Sequence, residues 1–162
     1  MKRAIAFLTC LFVLCCYIVP ANATETVFDG ESILVSRTIE YLEDGTSIEI
    51  SVYEDPMTTY ASDYMKSGSK IHRAYNSDGD VMYTFTVKGV FSVDEGVAAT
   101  CTSASYSTNI VDSDWSCTSA SATKSGNRAI ANGTFQTAIP GIPTETDNVR
   151  VVLTCDDLGN LS

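Results

Sequence analysis

Apolar and polar residues alternate with a period of two in several stretches of the chain, and no stretch shows sustained helical periodicity. Glycine-containing turns interrupt the alternation, which is typical of antiparallel all-β proteins. We therefore predict an all-β fold, a β-sandwich that is immunoglobulin-like in general form, with about seven or eight antiparallel strands. The predicted parts are a signal peptide (1–23), an N-terminal β-hairpin segment (24–55), a linker or long loop (56–70) and a main β-sandwich domain (71–162).

The first predicted hairpin turns at Asp44-Gly45, a dipeptide that favours a two-residue turn. This turn predicts three cross-strand pairs on one mostly apolar face: Tyr41–Ile48, Ile39–Ile50 and Arg37–Val52. The same register places Glu40 opposite Glu49, where two like charges are mildly destabilising. We expect both carboxylates to face water; the alternative is half of a cation site.

A three-stranded meander is predicted around a long alternating stretch, residues 81–93. Three-residue loops with a left-handed glycine, Ser77-Asp78-Gly79 and Asp94-Glu95-Gly96, join this strand to its neighbours. The predicted pairs are Tyr75–Val81, Ile71–Phe85, Val93–Val97, Phe91–Ala99 and Gly89–Cys101.

Later segments continue the strand pattern. Trp115 and Cys117 share one face of an extended segment, and residues 128–139 form a strand in which Gly133 is closely packed. The final strand points inward at Val149, Val151, Leu153 and Cys155, and a turn-like tail spans residues 156–162.

The N-terminus has the order of a secretory signal. Lys2 and Arg3 precede the uncharged, mostly apolar run 4–19, and Ala21-Asn22-Ala23 supplies the small residues that signal peptidase recognises. We predict cleavage before Thr24 and a secreted, extracellular protein. A membrane anchor is the weaker alternative, because the apolar run is shorter than the roughly 20 residues of a span.

Charge narrows the possible partners. Loss of Lys2 and Arg3 moves the formal charge from −10 to −12, since the acidic residues all lie beyond residue 24. Such a surface repels phosphate backbones and anionic lipids, so we expect no nucleic-acid binding and no membrane association after signal cleavage. It would tolerate a cation or a basic partner.

Three cysteines remain beyond the signal: Cys101, Cys117 and Cys155. Export permits one disulfide, but spacing alone does not choose among three pairings. The strand registers turn Cys101 and Cys155 toward the core, so we predict a Cys101–Cys155 disulfide and a free Cys117. A Cys101–Cys117 bridge, favoured by proximity in sequence, stays open. The cysteines are too widely spaced for a zinc site, for which His72 would be the sole histidine.

Several segments resemble a group of small, functionally uncharacterised exported proteins of Gram-positive, gut-type bacteria. They are residues 36–45, 83–89, 99–102, 121–127, 152–155 and 159–162. The resemblance implies export and a β fold but no mechanism, because the group has no assigned activity. Cys101 and Cys155 match the pattern of the group, whereas Cys117 lies at a position that varies.

Two motifs contain residue types that could carry chemistry. Asn76-Ser77-Asp78-Gly79-Asp80 resembles a calcium loop, but Val87 occupies the position of the twelfth ligand, so a hairpin turn is expected. His72 has no serine nucleophile motif to serve, and we expect it to be an exposed strand residue. We therefore predict no catalytic, cofactor-binding or metal residue, and no cofactor.

These absences favour a non-enzymatic binding or interaction protein at or outside the cell surface, with a protein or glycan ligand. The alternative is a small carboxylate-based hydrolase, for example one directed at glycans. A concave acidic cleft with two carboxyls facing one another would favour the enzyme, and a flat Ser/Thr/Tyr face would favour binding.

Overall fold

Antiparallel β-strands account for most of the computed structural model, which describes residues 31–56, 64–137 and 144–162. The predicted signal peptide and its cleavage site lie outside these residues. In the described ranges, no helix is long and apolar enough to cross a membrane. The strands are β1 (Ile33–Tyr41), β2 (Ser47–Glu54), β3 (Tyr64–Tyr75), β4 (Val81–Asp94), β5 (Ala98–Ile110), β6 (Trp115–Ser125), β7 (Arg128–Thr137) and β8 (Thr146–Thr154).

The strands form two sheets, one ordered β1-β2-β3-β4-β5 and the other β6-β7-β8. The prediction of an all-β sandwich with seven or eight strands is confirmed. Within each sheet, strands that are consecutive in sequence pair with each other, so both sheets are simple meanders. The fold resembles an immunoglobulin domain only in that two sheets pack together. Its connectivity differs, because the described strands contain no Greek-key crossover.

The core lies between the sheets, where the period-two pattern turns apolar side chains inward. Phe85 and Phe91 of β4, Phe135 of β7 and Leu153 of β8 are fully buried. Each such side chain contributes roughly 1.5–3 kcal/mol relative to exposure. Gly133 lies close to the rings of Phe135 and Phe85, which confirms the closely packed glycine predicted for β7.

The first hairpin differs from its predicted register by one residue. Its loop is Glu43-Asp44-Gly45, with the Leu42 N–H donating to the Thr46 carbonyl over 2.9 Å. Asp44 Oδ1 accepts hydrogen bonds from the Thr46 N–H and hydroxyl, which stabilises this longer loop. The observed pairs include Tyr41–Ser47, Glu40–Ile48, Ile39–Glu49 and Arg37–Ser51. The predicted Glu40–Glu49 pair was therefore wrong, because a one-residue shift moves β1 side chains to the other face.

The second hairpin keeps its predicted loop, and Gly79 has the expected positive φ of 85°. The Tyr75–Val81 pair is confirmed, but Met82 is then an extra residue on β4, because Tyr83 pairs with Ala74. This bulge shifts the remaining register by one residue. The predicted Ile71–Phe85 pair is replaced by His72–Phe85.

The third hairpin is shifted by two residues. Its loop is Glu95-Gly96-Val97, closed by a 2.9 Å hydrogen bond from the Val97 N–H to the Asp94 carbonyl. The pairs predicted for this hairpin were wrong, and the observed ones are Val93–Ala99, Phe91–Cys101 and Gly89–Ala104. A two-residue shift preserves the faces of a strand, so Cys101 still points into the core.

The linker predicted for residues 56–70 was wrong over 64–70, which belong to β3; residues 57–63 lie outside the described part. This segment carries few apolar residues, but β2 and β4 pair with it on both sides. Because β2 pairs with β3 along its whole length, the first hairpin is continuous with the larger sheet rather than semi-detached.

A repeated pentapeptide builds the same irregularity twice. Cys-Thr-Ser-Ala-Ser occurs at 101–105 and 117–121. In each copy the threonine is the extra residue of a β-bulge, and the cysteine pairs with a phenylalanine of the partner strand, Phe91 of β4 or Phe135 of β7. The Thr102 and Thr118 hydroxyls donate to carbonyls of the partner strands, over 3.1 and 3.3 Å. The edge strands β5 and β6 are therefore built alike, which the sequence analysis missed.

The C-terminal tail closes one end of the core. Leu161 is only 4% exposed and forms a β-bridge with Cys155. The Tyr64 hydroxyl donates to the Leu158 carbonyl over 3.0 Å, and Gly96 N–H donates to the Asp157 carbonyl over 2.8 Å. The turn predicted for residues 156–162 is confirmed. The sequence of the tail did not indicate that Leu161 would be buried.

Candidate functional site

A cavity of about 320 Å³ lies at the end of the sandwich opposite the C-terminal tail. Its walls come from the loop between β1 and β2, the end of β3, and the starts of β4, β6 and β8. Both sheets therefore contribute to it. Its volume falls at the lower end of the range of about 300–1,000 Å³ that is usual for small-molecule sites.

His72 and Tyr83 form the inner wall. The bulge at Met82 sets the register of β3 against β4, so the two rings stack with centroids 6.1 Å apart and planes 18° apart. His72 is 8% exposed, so the expectation of an exposed strand residue was wrong. The inward face of β3 also carries Lys66 and Lys70. Because these residues are polar, the sequence did not indicate that the His72 side of β3 faces the core.

The His72 ring has unused hydrogen-bonding capacity. Its Nε2 atom is buried and has no hydrogen-bond partner in the described part of the chain. Burial lowers the pKa of His72, and the charge of Asp147 opposes that shift only in part. The imidazole is therefore neutral near pH 7. An unpaired buried polar atom costs about 1–3 kcal/mol, which a bound ligand could recover.

Tyr83 is held by its neighbours. Its ring stacks on Phe135 at a centroid distance of 4.0 Å and lies 5.3 Å from the ring of Trp115. Its hydroxyl donates a 2.7 Å hydrogen bond to Asp147 Oδ2. Burial, followed by the hydrogen bond and charge of Asp147, raises the pKa of Tyr83 well above its usual range. The phenol therefore stays protonated and fixes the Asp147 carboxylate at the cavity wall.

The charged groups of the cavity are mostly acidic. Asp44, Glu145 and Asp147 line it together with a single guanidinium, that of Arg150. Hydrogen bonds from Thr46 lower the pKa of Asp44. In the described ranges, no group of three or more His, Cys, Asp or Glu side chains is arranged to hold a metal ion.

The predicted disulfide residues lie at the other end of the sandwich. Cys101, Cys117 and Cys155 are free thiols in this structure, and Cys101 and Cys155 are both buried. Their backbone N–H groups donate to the adjacent carbonyls of Gly126 and Asn127, over 2.8 and 3.1 Å. Burial raises the pKa of both thiols, that of Cys155 to about 11. The two cysteines thus flank one turn, and their pairing stays a prediction.

The calcium-like segment is a hairpin turn, as expected. Asn76 Oδ1 accepts backbone hydrogen bonds from Asp78 and Asp80, over 3.0 and 2.8 Å. Its side-chain oxygen therefore stabilises the turn.

A polar face of the larger sheet accompanies the cavity. On the outer side of the larger sheet, β5 exposes a row of small polar side chains: Ser103, Ser105, Ser107 and Asn109. A concave site with acidic residues in its wall and a sheet face of small polar side chains are thus both present. The cavity is the more specific of the two, because it contains an unpaired buried group.

Sequence reasoning did not bring the cavity residues together. His72 and Trp115 are the only histidine and the only tryptophan of the chain, and their shared location was not predicted. The sequence signal that could have indicated burial of His72 is its position two residues before Ala74, on the same face of an alternating strand. Comparison of the chain with family models, curated proteins and solved structures finds no match. Function is therefore inferred from the cavity itself.

Proposed function

We propose that this chain is a non-enzymatic, exported binding protein that takes its ligand into the cavity beside His72. One observation carries the proposal: His72 is 8% exposed, lines the cavity, and leaves Nε2 without a partner among the described residues. Buried polar atoms in native proteins are nearly always hydrogen-bonded. A ligand group in the cavity would complete the missing bond.

The walls support binding because they are preorganised. Tyr83 is locked between Phe135, Trp115 and its hydrogen bond to Asp147. Rigid walls reduce the ordering cost of association, so more of the contact energy contributes to affinity.

The proposal is tested with two natural probes, since the single tryptophan and the single histidine both line the cavity. Trp115 fluorescence and the ring signals of His72 are followed while monosaccharides, amino acids, short peptides and diamines are titrated. We expect at least one class to shift both signals saturably. Ligands that bind the protein without changing either signal would place the binding surface elsewhere and overturn the proposal.

A carboxylate-based hydrolase is a second candidate, because Asp44, Glu145 and Asp147 line one concave site. The same panel, extended to oligosaccharides, is assayed for released reducing ends. Turnover that Glu145→Gln or Asp147→Asn abolishes would favour the enzyme. Binding without turnover favours the binding protein.

The proposal that the protein acts outside the cell is supported by its N-terminal sequence pattern and its acidic surface. We expect secreted material to begin at Thr24 on N-terminal sequencing. A first residue of Met1, or retention in the membrane fraction, would contradict export. Retention of duplex DNA at low salt would contradict the expected indifference to nucleic acid.

A further inference from the structure

We infer that the cavity selects an organic primary ammonium ion, such as an alkyl amine or a lysine-type side chain. This inference rests on the proposed binding function and names its ligand class. It follows from the charges, hydrogen-bonding groups and aromatic walls that meet at the site.

The charge balance favours a cation. Asp44, Glu145 and Asp147 line the cavity, against the single positive charge of Arg150. The chain as a whole carries a formal charge of −10, which adds long-range attraction for cations. Anionic ligands would meet repulsion both in solution and at the site.

The hydrogen-bonding groups favour a donor. The carboxylates of Glu145 and Asp147 accept hydrogen bonds, and a neutral His72 ring offers one acceptor nitrogen and one N–H donor. The Tyr83 hydroxyl already donates to Asp147. A primary ammonium group has three donors and no acceptor, so it pairs with these acceptors. Ser47, Asn148 and Arg150 also line the cavity and supply donors, so discrimination against a polyhydroxyl ligand rests on charge.

The shape favours an organic rather than a metallic cation. In the part of the chain that the structure describes, no group of three or more His, Cys, Asp or Glu side chains is arranged to hold a metal ion. The cavity of about 320 Å³ is also lined by the aromatic rings of Tyr83 and Trp115. Aromatic faces attract organic cations and pack against their methylene groups.

The probes are 1,4-diaminobutane, its neutral counterpart 1,4-butanediol, the anion succinate, and tetramethylammonium. The last has the charge but no hydrogen-bond donors. Trp115 fluorescence and the His72 ring signals report occupancy. We expect saturable binding of the diamine, weaker binding of tetramethylammonium, and none of the diol or succinate.

Glu145→Gln tests the charge without disturbing the fold, because the Glu145 side chain is exposed and only its backbone bonds to Thr137. It should raise the Kd of the diamine by about 1.5–5-fold, the effect of losing one exposed ion pair. Glu95→Gln, at the far end of β4, is the charge-matched control and should leave the Kd unchanged. Equal weakening by both variants would indicate general attraction to the acidic surface and overturn the inference.

The outcomes separate the two proposals. Shifts of both cavity signals with the diol, succinate or a sugar, but not with the diamine, would overturn the ammonium class while supporting a binding site. A folded protein in which no probe of either panel changes Trp115 or His72 would overturn the proposed function as well.

Discussion

Glu49 and Arg73 are cross-strand partners on β2 and β3, and Nη1 of Arg73 donates to Oε1 of Glu49 over 3.0 Å. Glu49 is 2% exposed although it lies on the outer face of the larger sheet. Arg37, Ser51 and Tyr75 also donate to its carboxylate. These groups cover the carboxylate and link three strands.

Glu49→Gln should lower the free energy of unfolding by about 2 kcal/mol, because it leaves two guanidinium groups without their counterion. Urea denaturation measures the loss. Glu40→Gln, on the exposed neighbouring strand, is the control and should change stability by less than about 0.5 kcal/mol. Equal stability of the two variants would show that the network contributes nothing.

The same carboxylate predicts acid sensitivity. Burial raises the pKa of Glu49, but hydrogen bonds from Arg37, Ser51 and Tyr75, with the charge of Arg73, outweigh it and hold the pKa below its usual value. This stabilisation is full above the unfolded pKa of about 4.3 and is lost as pH falls through the folded pKa. The gap in stability between wild type and Glu49→Gln should therefore narrow below about pH 4. A difference in stability between the two proteins that stays constant down to pH 2 would contradict this prediction.

His72 predicts a second pH effect, in a higher range. Burial lowers its folded pKa, with partial opposition from Asp147, below the unfolded value of about 6.5. The unfolded chain then binds a proton more readily, so stability should fall as pH decreases below about 6.5, by at most about 1.4 kcal/mol per unit.

NMR titration of the single imidazole measures this pKa directly, and denaturation between pH 7 and 5 measures the stability. His72→Gln should remove the slope in this range. An imidazole that titrates at or above 6.5 would show that the ring is solvated.

In secreted material we expect a Cys101–Cys155 disulfide and a free Cys117. Both partners are buried beside the turn at Gly126 and Asn127. Closing a loop of about 50 residues should stabilise the domain by about 4 kcal/mol, so a reductant should lower the Tm.

Non-reducing peptide mapping identifies the pairing. Cys117→Ser should leave the linked peptide pair unchanged, and Cys101→Ser should eliminate it. A linked peptide containing Cys117, or three free thiols, would contradict the prediction.

Gly68 should resist replacement, because a Cβ there would collide with the Tyr53 carbonyl oxygen and with Cδ1 of Leu161. Gly68→Ala should destabilise the protein by about 1–3 kcal/mol, the usual cost of overpacking. Chemical denaturation of Gly68→Ala, Leu161→Ala and the double variant forms a cycle. The double variant should lose less than the sum of the single losses, since Leu161→Ala removes one collision. Additive losses would mean that the tail does not pack on Gly68.

The sequence by itself determined which face of β8 forms the core. Val151, Leu153 and Cys155 were placed correctly because a strand has a strict period of two and apolar residues follow it there. The positions of Gly79 and Gly133 were also predictable, the first from turn chemistry and the second from uninterrupted alternation.

Only the tertiary structure decided the register and the burial of polar residues. Asp44 closes a three-residue loop with Thr46, and that one added residue moves Glu49 opposite Ile39 instead of Glu40. The bulge at Met82 likewise aligns His72 with Phe85. Local propensity distinguishes such loops only weakly, because they differ by a few hydrogen bonds. Burial of His72 further depends on residues from β6 and β8, which are distant in sequence and meet it only when the two sheets pack.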